Sequence, residues 1–122
     1  MAKVHGFALL LLVPALPACT PPPQADQAMP VADAERGRRA MARAGCGACH
    51  AIPGVWPRGQ VAPGLAGIAG QALIAGRLPN RPDTLAAFIR NAPAYAPAAG
   101  MPAMNLSPSE ARDAAAYLYS LD

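Results

Sequence analysis

The chain has 122 residues, a formal net charge of +3, 15 prolines, 11 glycines and three cysteines. That length admits one small domain with short extensions, not a multidomain assembly. The basic excess argues little for a nucleic-acid role, which is disfavoured by the lack of any recognition motif and by the expected export signal.

Lys3 and His5 precede an apolar run from Phe7 to Val13. The run is too short for a permanent bilayer-spanning helix and suits the central region of an export signal. It ends in Leu16-Pro17-Ala18-Cys19, which looks like a lipobox. A signal peptidase would cut before Cys19 and a diacylglycerol would be attached to its sulfur; the rival expectation is ordinary cleavage after Ala15 or Ala18. Residues 1–18 are therefore expected to be an export signal, 19–31 a Pro-rich linker, and 32–122 the folded domain. The expected location is periplasmic, tethered to the membrane through Cys19.

Asp33 can cap a helix from Ala34 to about Ala44, with Glu35 near its positive end. Gly37 inside that helix costs about 1 kcal/mol relative to Ala. It points to a close approach by another helix or a ring; a tolerated surface glycine is the alternative. Arg36, Arg38, Arg39 and Arg43 form either a solvated helix face or a docking patch for an acidic redox partner.

Cys46-Gly47-Ala48-Cys49-His50 follows and reads C-x-x-C-H, the attachment pattern of a c-type haem. Two thiols three positions apart sit on one side of a helical turn, within reach of the two vinyl groups of one porphyrin edge. The next residue, His50, projects beneath the ring. A redox dithiol and half a zinc site are the rival readings. The first lacks a strand–helix–strand scaffold and the second lacks a fourth ligand. With Cys19 assigned to lipid, no cysteine remains for a structural disulfide, and thioethers would protect the pair in an oxidising compartment. A folded part this small is marginal on its own core, and a covalently held porphyrin would add apolar surface to pack around.

The segment from Ile52 to Gly70 is dense in Pro and Gly and reads as an irregular loop. Pro63 within it is placed to offer its carbonyl to the Nδ1–H of His50, which would aim Nε2 at iron; taken alone it reads as a turn proline. A short helix is expected within Leu65 to Ile74, and a turn at Leu78 to Pro82. Pro82 opens a helix to about Asn91 whose apolar face is Leu85, Phe88 and Ile89. Pro93 and Pro97 end it, so 92–100 is expected to be irregular up to Met101-Pro102-Ala103-Met104. Ser107-Pro108-Ser109-Glu110 is a capping box with Pro at the first helical position. The helix it opens carries Ala111, Ala114, Leu118 and Leu121 on one stripe, with Arg112 and Asp113 expected to face outward. No segment alternates with period two, so the expected class is all-α.

In this order the residues closely resemble a class I cytochrome c. The likeness covers about Asp33 to Leu121: a first helix with Gly37, the C-x-x-C-H, Pro63-Gly64-Leu65, Met101-Pro102, then a last helix with Tyr117. The strings Ile74-Ala75-Gly76-Arg77-Leu78-Pro79-Asn80 and Glu110-Ala111-Arg112-Asp113-Ala114-Ala115-Ala116-Tyr117-Leu118 are similar to small cytochromes linked to aerobic respiratory chains. The resemblance implies three to five short helices and long irregular loops around one covalent haem c. It implies thioethers at Cys46 and Cys49, His50 as proximal ligand, and Met101 as distal ligand, with Met104 the rival thioether. It implies the Pro63 carbonyl bond, Leu65 and Phe88 in the haem pocket, and Gly37 and Tyr117 at the crossing of the first and last helices. The chain departs from the pattern at Met41, Ala62, Arg81 and Ala114.

The expected function follows from that ligand set. An iron closed on both sides has no position for substrate, so the chain would be an electron carrier and not an enzyme. It would pass single electrons between respiratory-chain components, with a cytochrome oxidase or dehydrogenase as redox partner. The alternatives are a gas sensor or weak peroxidase with a labile Met ligand, and a fixed haem subunit of an oxidase or dehydrogenase complex.

Overall fold

The computed structural model describes Met29 and residues 31–121. The export signal, Cys19 and nearly all of the linker lie outside the described residues. Among the described residues four α-helices dominate: α1 (Ala34–Arg43), α2 (Pro82–Arg90), α3 (Ala92–Tyr95) and α4 (Pro108–Tyr119). Three 3-10 turns join them, at Cys46–Ala48, Ile68–Gly70 and Pro97–Ala99. The architecture is mostly helical, as the sequence implies.

The first and last helices pack against each other, and their ends are set by local chemistry. The Asp33 side chain accepts from the Arg36 N–H and caps α1. Ser107 and Glu110 exchange side-chain-to-backbone bonds at the start of α4, with Pro108 in the first turn. These caps satisfy amide groups that a helix start leaves without intrahelical partners. Where α1 meets α4, Gly37 lies directly against the Asp113 carbonyl; an added Cβ would overlap it. The glycine therefore marks a helix contact, and its propensity cost is the condition for that closeness.

Asp113 does not face outward. It is 5% exposed, and its carboxylate accepts from the Asp33 backbone N–H at 2.7 Å and from Arg36 Nε at 2.9 Å. Sequence spacing placed it opposite the apolar stripe, but partners some 80 positions away draw it inward. Burial raises its pKa, but the Arg36 bond, the Asp33 N–H and the nearby guanidinium charge outweigh that and hold it below the usual carboxylate range. The pair contributes stability above pH about 4, and loses it as pH falls through the lower folded-state value. Asp113→Ala is expected to cost about 1–3 kcal/mol at neutral pH, because it leaves the Asp33 amide without its acceptor, whereas the exposed Arg36 keeps Asp33 and water. In denaturant titrations from pH 7 to pH 3, the variant should show a shallower loss of stability than the parent.

The middle of the chain differs from the sequence expectation in two places. Residues 92–100 are not irregular: Pro93 sits in the first turn of α3 and Pro97 opens a 3-10 turn. A proline that ends one helix is well suited to begin the next, since its missing N–H is needed in neither place. The fold is also not wholly helical, because a small antiparallel hairpin pairs β1 (Leu73–Ile74) with β2 (Leu78–Pro79). Its turn is Ala75-Gly76, both at positive φ, closed by Arg77 N–H to Ile74 carbonyl at 3.0 Å. Two-residue strands are too short for alternation to register in sequence.

Asn80 fastens this hairpin. Its side-chain amide donates to the carbonyls of Ile68 and Gln71, and its oxygen accepts from the Tyr119 hydroxyl at 2.9 Å. Burial pushes the Tyr119 phenol up to about 12, so it remains a donor across the physiological range. The core that these contacts frame is built on Leu85, Phe88 and Ile89 from α2, Ala111, Ala114, Ala115 and Leu118 from α4, and Met41 from α1. Ile52, Leu85 and Leu118 are its largest fully buried side chains. Alanine supplies much of the rest, which is sparse apolar volume for a domain of this size. Met41 fills its position as ordinary core, whereas Arg81 precedes α2 without giving it a side-chain cap.

Candidate functional site

α1 ends at Arg43, and Gly45 at φ +76° turns the chain into the 3-10 turn Cys46–Ala48. Cys49 N–H and His50 N–H both point back to the Cys46 carbonyl, at 3.3 and 3.1 Å. The two cysteines and the histidine thus occupy one compact turn, as their spacing predicts. Both thiols are free. Cys46 is half-buried against the core and Cys49 is exposed. Burial pushes the Cys46 thiol above its usual range.

The loop after the turn comes back alongside it. Gly59 N–H donates to the Gly47 carbonyl (2.8 Å), Ala62 N–H to the Cys49 carbonyl (3.0 Å) and Leu65 N–H to the Ala51 carbonyl (3.0 Å). This pairing carries Pro63 to the histidine. His50 Nδ1 lies 2.7 Å from the Pro63 carbonyl oxygen. A carbonyl only accepts, so Nδ1 carries the proton and donates, and in the neutral ring Nε2 keeps its lone pair. The ring is therefore fixed in the tautomer that a metal ligand needs. Ala62, where glycine is usual, does not prevent this.

Two glycines make the close return possible. A Cβ on Gly47 would strike the Pro57 carbonyl, and one on Gly59 would strike the Ala48 carbonyl. Sequence reading did not single out either residue for this role. The available signal was their position on the two sides of a Pro-rich loop.

The remaining expected site residues fall in order. Phe88 is buried in the core and Leu65 is half-buried beside it. Met101 and Met104 are both half-buried against the same cluster. Met104 is held to α2 through its N–H to the Arg90 carbonyl at 2.9 Å, next to an Asn91–Ala103 bridge. Met101 comes just after Gly100, whose φ of +70° redirects the chain as it leaves the 3-10 turn. Tyr117 reaches from α4 to donate to the Pro53 carbonyl at 2.6 Å, bracing the loop that follows the histidine.

Among the described residues, no three His, Cys, Asp or Glu side chains converge as ligands for one ion. The donor set instead suits a porphyrin: paired free thiols on one turn, a tautomer-locked imidazole beside them, and thioether side chains at the edge of an apolar cluster. Residues 32–118 match the family described as cytochrome c oxidase, cbb3-type, subunit III. The chain belongs to that family of c-type cytochromes. No curated protein matches it as a relative. A cytochrome domain of this kind carries covalently bound haem c and serves electron transfer. In this cytochrome, Cys46 and Cys49 would hold the porphyrin edge and His50 Nε2 would face the iron.

Charge on the cytochrome surface is unevenly matched. Arg36 pairs with Asp33 and Asp113, Arg38 and Arg39 with Glu35, and Arg43 with Glu110. The arginine cluster of α1 is thus locally neutralised, which favours a solvated helix face over a docking patch. None of the described helices is long and apolar enough to cross a membrane.

Proposed function

We propose that this cytochrome carries single electrons between respiratory-chain components on the outer side of the cytoplasmic membrane, held there by a lipid on Cys19. The observation that carries the reading is the His50–Pro63 bond, on the turn that bears both thiols. It commits one imidazole nitrogen to the protein and leaves the other for iron. When bound, the haem supplies a one-electron ferric/ferrous couple. Cys46 and Cys49 would hold the porphyrin edge covalently. His50 would give a nitrogen and Met101 a sulfur to the iron. A thioether ligand and apolar neighbours such as Phe88 and Leu65 would favour the ferrous state and raise the potential. A site closed in this way leaves electron exchange as its work, not substrate turnover. A lipid tether would confine the carrier to the membrane surface and raise its effective concentration for partners.

Two measurements on the haem-loaded protein test this. An anaerobic redox titration followed by visible spectroscopy should give one Nernstian one-electron transition and a low-spin spectrum. Carbon monoxide added to the reduced protein at neutral pH should leave that spectrum unchanged; an immediate shift would mean an open iron, as in a sensor or peroxidase. Among the methionines, Met101→Ala is expected to abolish the long-wavelength sulfur-to-iron band entirely, and Met104→Ala to preserve it. The opposite pattern would reassign the ligand to Met104.

The family's description favours a second reading, in which the domain is a fixed subunit of an oxidase complex. Extraction of membranes in mild detergent distinguishes the two. A free carrier separates from oxidase activity, and a subunit stays with it.

A further inference from the structure

The segment that carries both methionines is closed at one place. α2 ends at Arg90, and the last carbonyls of a helix have no partner within it. The Arg90 carbonyl accepts from the Met104 N–H at 2.9 Å, beside the antiparallel Asn91–Ala103 bridge. The side chain of the same residue donates from Nε to the Leu106 carbonyl at 3.1 Å. Arg90 therefore grips the far end of the segment twice, on either side of Asn105. Its guanidinium stands in the last turn of α2, where the helix dipole favours a cation. No carboxylate among the described residues competes for it as an ion-pair partner. Between these ends the chain is held lightly. Among the described residues the backbone bonds inside the segment are local, from Ala94 to Asn91, Ala96 to Ala92 and Ala99 to Ala96. The side chains it buries most deeply are two alanines, Ala92 and Ala96, which bring little apolar area. Segments with so few buried contacts are the ones that open locally.

We propose that Arg90 is a positioning residue for the methionine ligand: its side-chain bond to the Leu106 carbonyl keeps residues 91–106 closed, and so sets how often the thioether leaves the iron. This deepens the electron-carrier reading and rests on the methionine ligand in it. The oxidised carrier is where the clip matters most. A thioether is a soft, neutral donor that suits ferrous iron better than ferric, so in the ferric state retention of the sulfur falls more heavily on the protein. Either sulfur would feel the clip, since Met101 and Met104 both lie between Arg90 and Leu106. A foreign ligand reaches the iron only through the open state, so its apparent affinity scales with the population of that state.

The test uses the full-length, haem-loaded, ferric protein with imidazole as the competing ligand, followed by loss of the sulfur-to-iron band. Arg90→Leu keeps the backbone acceptor and an apolar side chain but removes the donor. It should bind imidazole about threefold to tenfold more tightly than the parent, and its Met104 amide should exchange hydrogen faster by the same factor. Arg90→Lys, which keeps a cationic donor at the end of α2, should fall between the two. Asp113→Ala weakens the fold at the contact of α1 with α4, away from the segment, and its imidazole affinity should match the parent's. Equal imidazole affinity in the parent and Arg90→Leu, or no binding to either, overturns the proposal and leaves methionine ligation intact. An equal gain in Asp113→Ala overturns it as well, by tracing the effect to global stability. A parent without the sulfur-to-iron band removes the methionine ligand and the proposal with it.

Discussion

Gly37→Ala is expected to destabilise the folded cytochrome by about 2–4 kcal/mol, although alanine is the better helix former. Intrinsic propensity favours the substitution by about 1 kcal/mol. Against that, the new methyl would overlap the Asp113 carbonyl and come within 2.7 Å of the Ala114 N–H nitrogen. Both are backbone atoms inside α4, so neither can swing aside as a side chain would. Either the helices separate along their contact or α4 bends, and the loss of packing outweighs the propensity gain. Separation would also pull Asp113 from Arg36 and the Asp33 amide. Guanidinium unfolding of the haem-loaded variant should show a clearly lower midpoint with little change in slope, and its yield should fall during maturation.

The second large effect concerns the attachment turn. Cys46→Ser with Cys49→Ser should eliminate covalent haem, and His50→Ala should leave thioether-bound haem without its nitrogen ligand. The two outcomes differ because the residues act differently. In the proposed site the thiols would hold the porphyrin edge, while His50, bonded to the Pro63 carbonyl, would set the electronic state of the iron. In the double serine variant, haem should be extracted by acidified organic solvent. In His50→Ala it should resist extraction, while the low-spin spectrum is lost.

These features differ in how legible they were in sequence. The haem turn, the Asp33 cap and the Ser107–Glu110 box were readable because each is complete within a few consecutive residues. The His50–Pro63 bond was readable only through resemblance, since it spans 13 positions of irregular loop. Asp113 was misjudged for a related reason. Helical periodicity assigns a face, but its partners Asp33 and Arg36 come from the other end of the chain. Pro93 follows the end of α2 as a stop should, but the sequence does not show that it also lies in the first turn of α3 or that Pro97, beyond α3, opens a 3-10 turn. The hairpin at Leu73–Pro79 escaped notice because it is defined by backbone signs at Ala75 and Gly76 and by the Asn80 clamp, not by hydrophobic alternation.

How the paired thiols are used decides whether this domain carries covalent haem. Mass spectrometry of the proteolytic peptide spanning Cys46 to His50, from protein matured in a haem-loading host, tests this directly. The expected peptide carries the mass of one haem, and neither sulfur accepts an alkylating reagent. A peptide of unmodified mass, with both thiols open to alkylation or joined to each other, would contradict it.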